Sequence, residues 1–130
     1  MKLSKTTALA AAGVIFAPAA FMAASVQELE RVCNGCGAAG AKFDFIPDRI
    51  YGTDISAACH VHDFMYARGR TIEDKDEADR VFLNNLLRII ERDAAAKWYK
   101  PRGLMRSRAK KYFKAVQVFG GPAFWAGKAV

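Results

Sequence analysis

The sequence predicts an all-α domain. Three observations carry that expectation. Two long stretches, 55–68 and 76–96, carry apolar residues at helical spacing. A third, 104–119, is amphipathic and basic. No stretch alternates apolar and polar residues convincingly enough to be a strand.

The chain begins with a segment of different character. Lys2 and Lys5 lead into an apolar run of small residues that ends in Ala-Pro-Ala-Ala-Phe-Met-Ala-Ala. A positive start, a short apolar middle and a small-residue exit mark an export signal. Residues 1–24 are therefore read as a leader, cleaved after Ala24 or Ala19, and 25–130 as one domain, secreted or periplasmic. An uncleaved anchor is the alternative, although Pro18 breaks the run and it is short for a membrane span. About 106 residues would remain, enough for a small core that gains from a covalent staple.

After the leader, Ser25 caps a short helix over 25–32, with Glu28 completing a capping box. "CNGCGAAG" follows, a glycine-rich loop without helical or strand period. Pro47 and Gly52 interrupt the connection over 43–52. Thr53 or Asp54 caps a helix that ends at Gly69. Residues 71–76 form a polar connection or helix start, and a long helix spans 76–96. Pro101 and Gly103 break the chain before the basic helix over 104–119, which stops at Gly120-Gly121-Pro122.

The chemistry concentrates in "AACHVHDFMYARG". At 100° per residue, Cys59, His62, Asp63 and Tyr66 share a face with Ile55, opposite Ala57, Val61, Phe64 and Met65. His60 lies about 160° from His62 by the same spacing, so the two histidines cannot ligate one metal from a helix. Zinc held by Cys33, Cys36 and Cys59 with one histidine remains an alternative. On the 76–96 helix, Asp79 falls in the middle of the apolar stripe. A carboxylate there needs donors. His62 supplies one and Tyr66 a second. Such a network can be purely structural, or it can orient an imidazole as a general base.

Asp63 is not needed for that contact. Carbonyls of the glycine-rich loop with one carboxylate make a hard-oxygen site suited to Ca²⁺. A Cys36–Cys59 disulfide would fasten the loop to the helix. The net charge is +7, and no acidic residue follows Asp93. That imbalance seeks an anionic partner. On the basic helix, Leu104, Met105, Ala109, Tyr112, Phe113, Val116 and Phe119 share one face, while Arg106, Lys110, Lys111 and Lys114 cover the other. The second face is expected to meet a phospholipid surface, with Phe124 and Trp125 as further interfacial or packing residues. Nucleic acid is not expected; only the basic tail speaks for it.

"CxxHDxxY" over 59–66, "NGCG" over 34–37 and "ADRVF" over 78–82 together resemble the secreted phospholipase A₂ family, in the style of its small prokaryotic members. The likeness covers roughly 34–87. It implies a phospholipase A₂-like core of two antiparallel helices with a calcium loop, a basic C-terminal helix and one disulfide, Cys36–Cys59. It implies Ca²⁺-dependent hydrolysis of the sn-2 ester of glycerophospholipids. His62 would activate water, with Asp79 and Tyr66 supporting it. Asp63 and the carbonyls of Gly35, Gly37 and Ala39 would hold the ion, and the Gly37 N–H would assist the oxyanion. The loop reads "CGAAG" where the family has "CGxG", so Ala38 or Gly40 could replace Ala39. Asp44 or Asp48 could add a second carboxylate, and Cys33 has no assigned partner. A non-catalytic, membrane-disrupting relative is the alternative function.

Overall fold

The computed structural model describes residues 3–33 and 46–128. Those residues are mostly helical, with one small hairpin. The first three helices are α1 (Leu3–Ala11), α2 (Ala19–Ala23) and α3 (Val26–Val32). Residues 46–128 begin with the hairpin β1 (Arg49–Ile50) and β2 (Thr53–Asp54), followed by α4 (Ser56–Arg68) and α5 (Ile72–Ala96). The chain closes with α6 (Arg102–Phe119) and α7 (Gly121–Trp125).

Side chains at the helix ends explain where the boundaries differ from expectation. The Ser25 hydroxyl accepts from the Glu28 N–H at 3.1 Å, as a cap should. The Glu28 carboxylate turns away instead of completing the box, and takes a 2.8 Å bond from Arg68. A full box forms on α5: Thr71 accepts from the Asp74 N–H, and Asp74 accepts from the Thr71 N–H, both at 3.1 Å. Thus α5 starts four residues before the stretch its apolar stripe marks. Asp54 lies just outside α4 and accepts from the Ser56 N–H at 2.9 Å.

The hairpin is a correction to the strand-free reading. Its strands have two residues each, too short for an alternating pattern to show. Tyr51 (φ 47°) and Gly52 (φ 80°) both take left-handed backbone, the geometry of a tight two-residue hairpin turn. Thr53 donates to Asp93 at 2.5 Å, which fixes the hairpin to the end of α5.

Helix α4 sits in the middle. Its two sides meet α5 and the α1–α3 layer, and ten of its residues are buried. One helix face was therefore not enough to describe its environment. Phe82, Leu86 and Ile90 of α5 are also buried. Each side chain of this kind contributes about 1.5–3 kcal/mol when removed from water.

The stretch that reads as a leader lies on this core in the full chain. Leu3, Ile15 and Phe21 are buried. Phe21 meets Phe64 edge-on at 5.3 Å. Asn85 of α5 accepts from the Phe16 N–H and donates to the Phe16 carbonyl, both at 2.9 Å. No helix among the described residues is long and apolar enough to cross a membrane.

Candidate active site

The short connection between α4 and α5 folds the two helices back on each other, so His62 and Tyr66 of α4 face Asp79 of α5. His62 Nε2 lies 2.8 Å from Asp79 Oδ1, and the Tyr66 hydroxyl donates to the same oxygen at 2.7 Å. The expected contact and its second donor are both present. All three residues are buried. A carboxylate only accepts, so Nε2 carries the hydrogen and Nδ1 is the basic atom of the neutral ring. Ring contacts to Tyr66 at 4.1 Å and Phe82 at 4.8 Å hold the imidazole plane.

A third donor was missed. Lys75, one turn before Asp79 on α5, is 4% exposed and donates to Asp79 Oδ2 at 2.9 Å. Its ammonium also donates to the carbonyls of Val116 and Gln117 in the last turn of α6, at 3.3 and 3.2 Å. The signal was present as a lysine four residues before a buried aspartate, where side chains share a face. It lay in a polar stretch read as a connection, and that concealed it.

These donors set the electrostatics. Burial raises the Asp79 carboxyl, but bonds from His62, Lys75 and Tyr66 outweigh it and hold the group below its ordinary value. Burial first, then the bond to Asp79, pushes the Tyr66 phenol far above its usual range.

Asp63 is buried, 1% exposed, beside this network. Arg68, further along α4, pairs with Glu28 at 2.8 Å. A buried carboxylate is a fitting hard-oxygen ligand for Ca²⁺. The rest of the expected site, Gly35, Gly37 and Ala39 with Asp44, lies outside the described residues, as does Cys36. Asp48 is described and exposed. Among the described residues no cluster of three potential ligands forms.

Cys59 is disulfide-bonded. Cys33 is a buried thiol that donates to the His60 carbonyl at 3.3 Å. His60 turns away from His62, as its position on the helix required. It is buried, with Nδ1 2.8 Å from the Thr6 hydroxyl. Burial lowers its pKa, with Asp54 and Asp48 opposing.

The basic helix divides differently from the wheel. Met105, Ala109 and Val116 are buried, but Leu104 and Phe119, on the same apolar face, are 59% and 70% exposed. The core takes a narrower stripe, the one that α6 turns to α5. Arg106 is exposed and pairs with Glu91. Lys110, Lys111 and Lys114 are exposed. Phe124 is fully buried and meets Tyr66 edge-on at 5.2 Å, so it is a core residue.

The dyad thus stands on geometry alone: no family model, curated protein or solved structure matches this chain.

Proposed function

We propose that the chain is an exported, Ca²⁺-dependent phospholipase A₂-like esterase. It would hydrolyse the sn-2 acyl ester of glycerophospholipids, releasing a fatty acid and a lysophospholipid. The observation that supports this best is the buried 2.8 Å bond from His62 Nε2 to Asp79 Oδ1. It leaves Nδ1 as the proton acceptor and gives the resulting imidazolium a fixed counter-charge.

In this reading His62 takes a proton from water as the water oxygen attacks the ester carbonyl carbon. The same proton then passes to the departing lysophospholipid oxygen. Tyr66 and Lys75 keep Asp79 ionised and aligned, so that it orients the ring without taking the proton. Asp63, with carbonyls of Gly35, Gly37 and Ala39, would hold Ca²⁺, and the Gly37 N–H would assist the oxyanion. When bound, the ion would polarise the ester carbonyl. A Cys36–Cys59 bridge would fasten that loop to α4. The disulfide state of Cys59 and the buried thiol of Cys33 favour that pairing.

Fatty-acid release from phospholipid vesicles tests the proposal. Release should require Ca²⁺ and be lost in His62→Gln and in Asp63→Asn. Full activity in chelator, or in His62→Gln, would sink it. Vesicle leakage without fatty-acid release would favour a non-catalytic membrane binder.

A further inference from the structure

A polar cleft of about 160 Å³ lies where α1, the hairpin and the C-terminal end of α5 meet. One water needs about 10–15 Å³ by the same measure, so the cleft has room for a small polyatomic ligand. Four cations line it: Lys5 of α1, Arg49 of β1, and Arg92 and Lys97 at the end of α5. Two carboxylates, Asp54 and Asp93, face them. Four positive groups against two negative ones leave the lining with a net charge of +2.

Both carboxylates are satisfied from within the chain. Asp54 Oδ1 accepts from the Ser56 N–H at 2.9 Å and from the Ser56 hydroxyl at 2.6 Å, and Oδ2 accepts from Lys5 at 3.4 Å. Asp93 Oδ2 accepts from Thr53 at 2.5 Å, and Oδ1 pairs with Lys97 at 3.1 Å. The arginines are not matched in this way. Arg49 and Arg92 are exposed. Arg49 gives one N–H to the Gly52 carbonyl at 3.1 Å. Among the described residues neither arginine has a carboxylate within ion-pair distance. Each guanidinium carries five N–H donors, so most of them are open. A metal cation suits this cleft poorly, because four positive groups repel it and every carboxylate oxygen already has a donor.

We infer that this cleft binds a phosphate group, as free phosphate or as the head of a small phosphomonoester. Guanidinium groups meet phosphate oxygens through pairs of parallel N–H bonds. A phosphomonoester carries about −1.5 to −2 charges at neutral pH, which matches the surplus on the lining. A single carboxylate brings one charge and would leave one guanidinium unmatched. Lys5 lies in the stretch read as a leader, so the complete site belongs to the full chain. A phosphate bound there holds α1 against the hairpin and the end of α5. The inference uses neither His62 nor Asp79 and stands or falls without the hydrolysis reading.

Titration of the full chain with inorganic phosphate, without added Ca²⁺, tests it. Affinity is read from phosphorus NMR line broadening, and stabilisation from the melting temperature against sodium chloride of equal ionic strength. Phosphate should broaden and should raise the melting temperature above the chloride control. Glycerol 3-phosphate binding more tightly than phosphate identifies an ester as the ligand, and the reverse identifies the free ion; either supports the inference. Dimethyl phosphate, a diester with one charge, should bind about tenfold more weakly or worse. Arg49→Gln and Arg92→Gln should each weaken phosphate binding about tenfold or more, the scale of a hydrogen bond to a charged group. Arg92→Lys keeps the charge and the fold but loses the planar pair of donors, and should also bind more weakly. Arg70→Gln with Arg80→Gln removes two exposed charges elsewhere and should change affinity less than about twofold. No stabilisation beyond the chloride control, equal binding of dimethyl phosphate, or unchanged affinity in Arg92→Gln overturns the inference. So does an equal loss in the variant altered at Arg70 and Arg80. Fatty-acid release, measured separately with Ca²⁺, reports on the hydrolysis reading alone.

Discussion

Lys75 and Asp79 stand one turn apart on α5 with Nζ and Oδ2 2.9 Å apart, and their side chains are 5% and 1% exposed. A pair this deep loses much of its hydration, so its value depends on how completely the two groups are satisfied. Here they are well supplied. Asp79 has three donors, and Lys75 has the carboxylate and two helix-end carbonyls. The pair therefore ties α4, α5 and the last turn of α6 to one point.

Removing one partner should be costly. Lys75→Met leaves the Asp79 charge short of a donor and two α6 carbonyls without theirs, and is expected to cost about 3–5 kcal/mol. The double change Lys75→Met with Asp79→Asn should recover part of that loss. Urea unfolding of the four proteins measures it. A single-variant loss below about 1 kcal/mol would show that water replaces the lysine.

The dyad makes a separate prediction on activity. An asparagine at position 79 can donate to Nε2 and stabilise the wrong tautomer of His62. By the behaviour of triads altered this way, Asp79→Asn should lower kcat on the order of 10⁴-fold. Tyr66→Phe removes one of three donors and should cost about tenfold, the scale of one bond to a charged group. Initial rates of fatty-acid release at saturating vesicle concentration decide this. Near-normal turnover in Asp79→Asn would reduce the contact to a structural one.

Stability should depend on pH through two groups of like sign. His60 is held below its ordinary value of 6.5 by burial. The unfolded chain therefore binds a proton that the folded chain refuses. Its contribution is full above 6.5 and is lost as pH falls from there towards the folded value. Asp79 is held below its ordinary 3.8, so its contribution is present above that value and is lost as pH falls through the lower folded one. As pH falls below 6.5 the unfolding free energy should fall, with a slope of at most about 1.4 kcal/mol per pH unit for the proton on His60. His60→Gln, which can still bond to Thr6, should remove that part of the slope. An unchanged slope would assign it to other groups.

The leader stretch offers a fourth test. Asn85 satisfies both backbone groups of Phe16. In the full chain Asn85→Ala should cost about 1–3 kcal/mol, because two partly buried backbone groups lose their partner. In a chain beginning at Ser25 the same substitution should cost far less, since Phe16 is gone. Chemical denaturation of both pairs separates the cases. Equal costs would mean that Asn85 acts through other contacts.

The dyad was legible because two periods converge on it. His62 and Tyr66 lie one turn apart on one face of α4, and Asp79 breaks an apolar stripe on α5. A buried carboxylate needs donors, and the neighbouring helix offered them. Lys75 was hidden by its surroundings: residues 71–76 are polar, and only the capping box of Thr71 and Asp74 draws that lysine into the helix. His60 was removed from the ligand set by spacing, yet its burial against Thr6 was not readable. That contact joins residues 54 positions apart.

By itself the sequence determined the helical class, the pairing of His62 with Asp79 and Tyr66, the turn of His60 away from them and the charge imbalance after Asp93. All of these follow from local period or from the cost of burying charge. Tertiary structure decided what depends on a second surface. It covered both sides of α4 and recruited Lys75 to Asp79. It also brought Glu91 to Arg106, and left Leu104 and Phe119 in solvent although they share the apolar face of the wheel. A helical wheel states which residues share a face. The width of the face that is buried depends on how much of its circumference a neighbouring helix can reach.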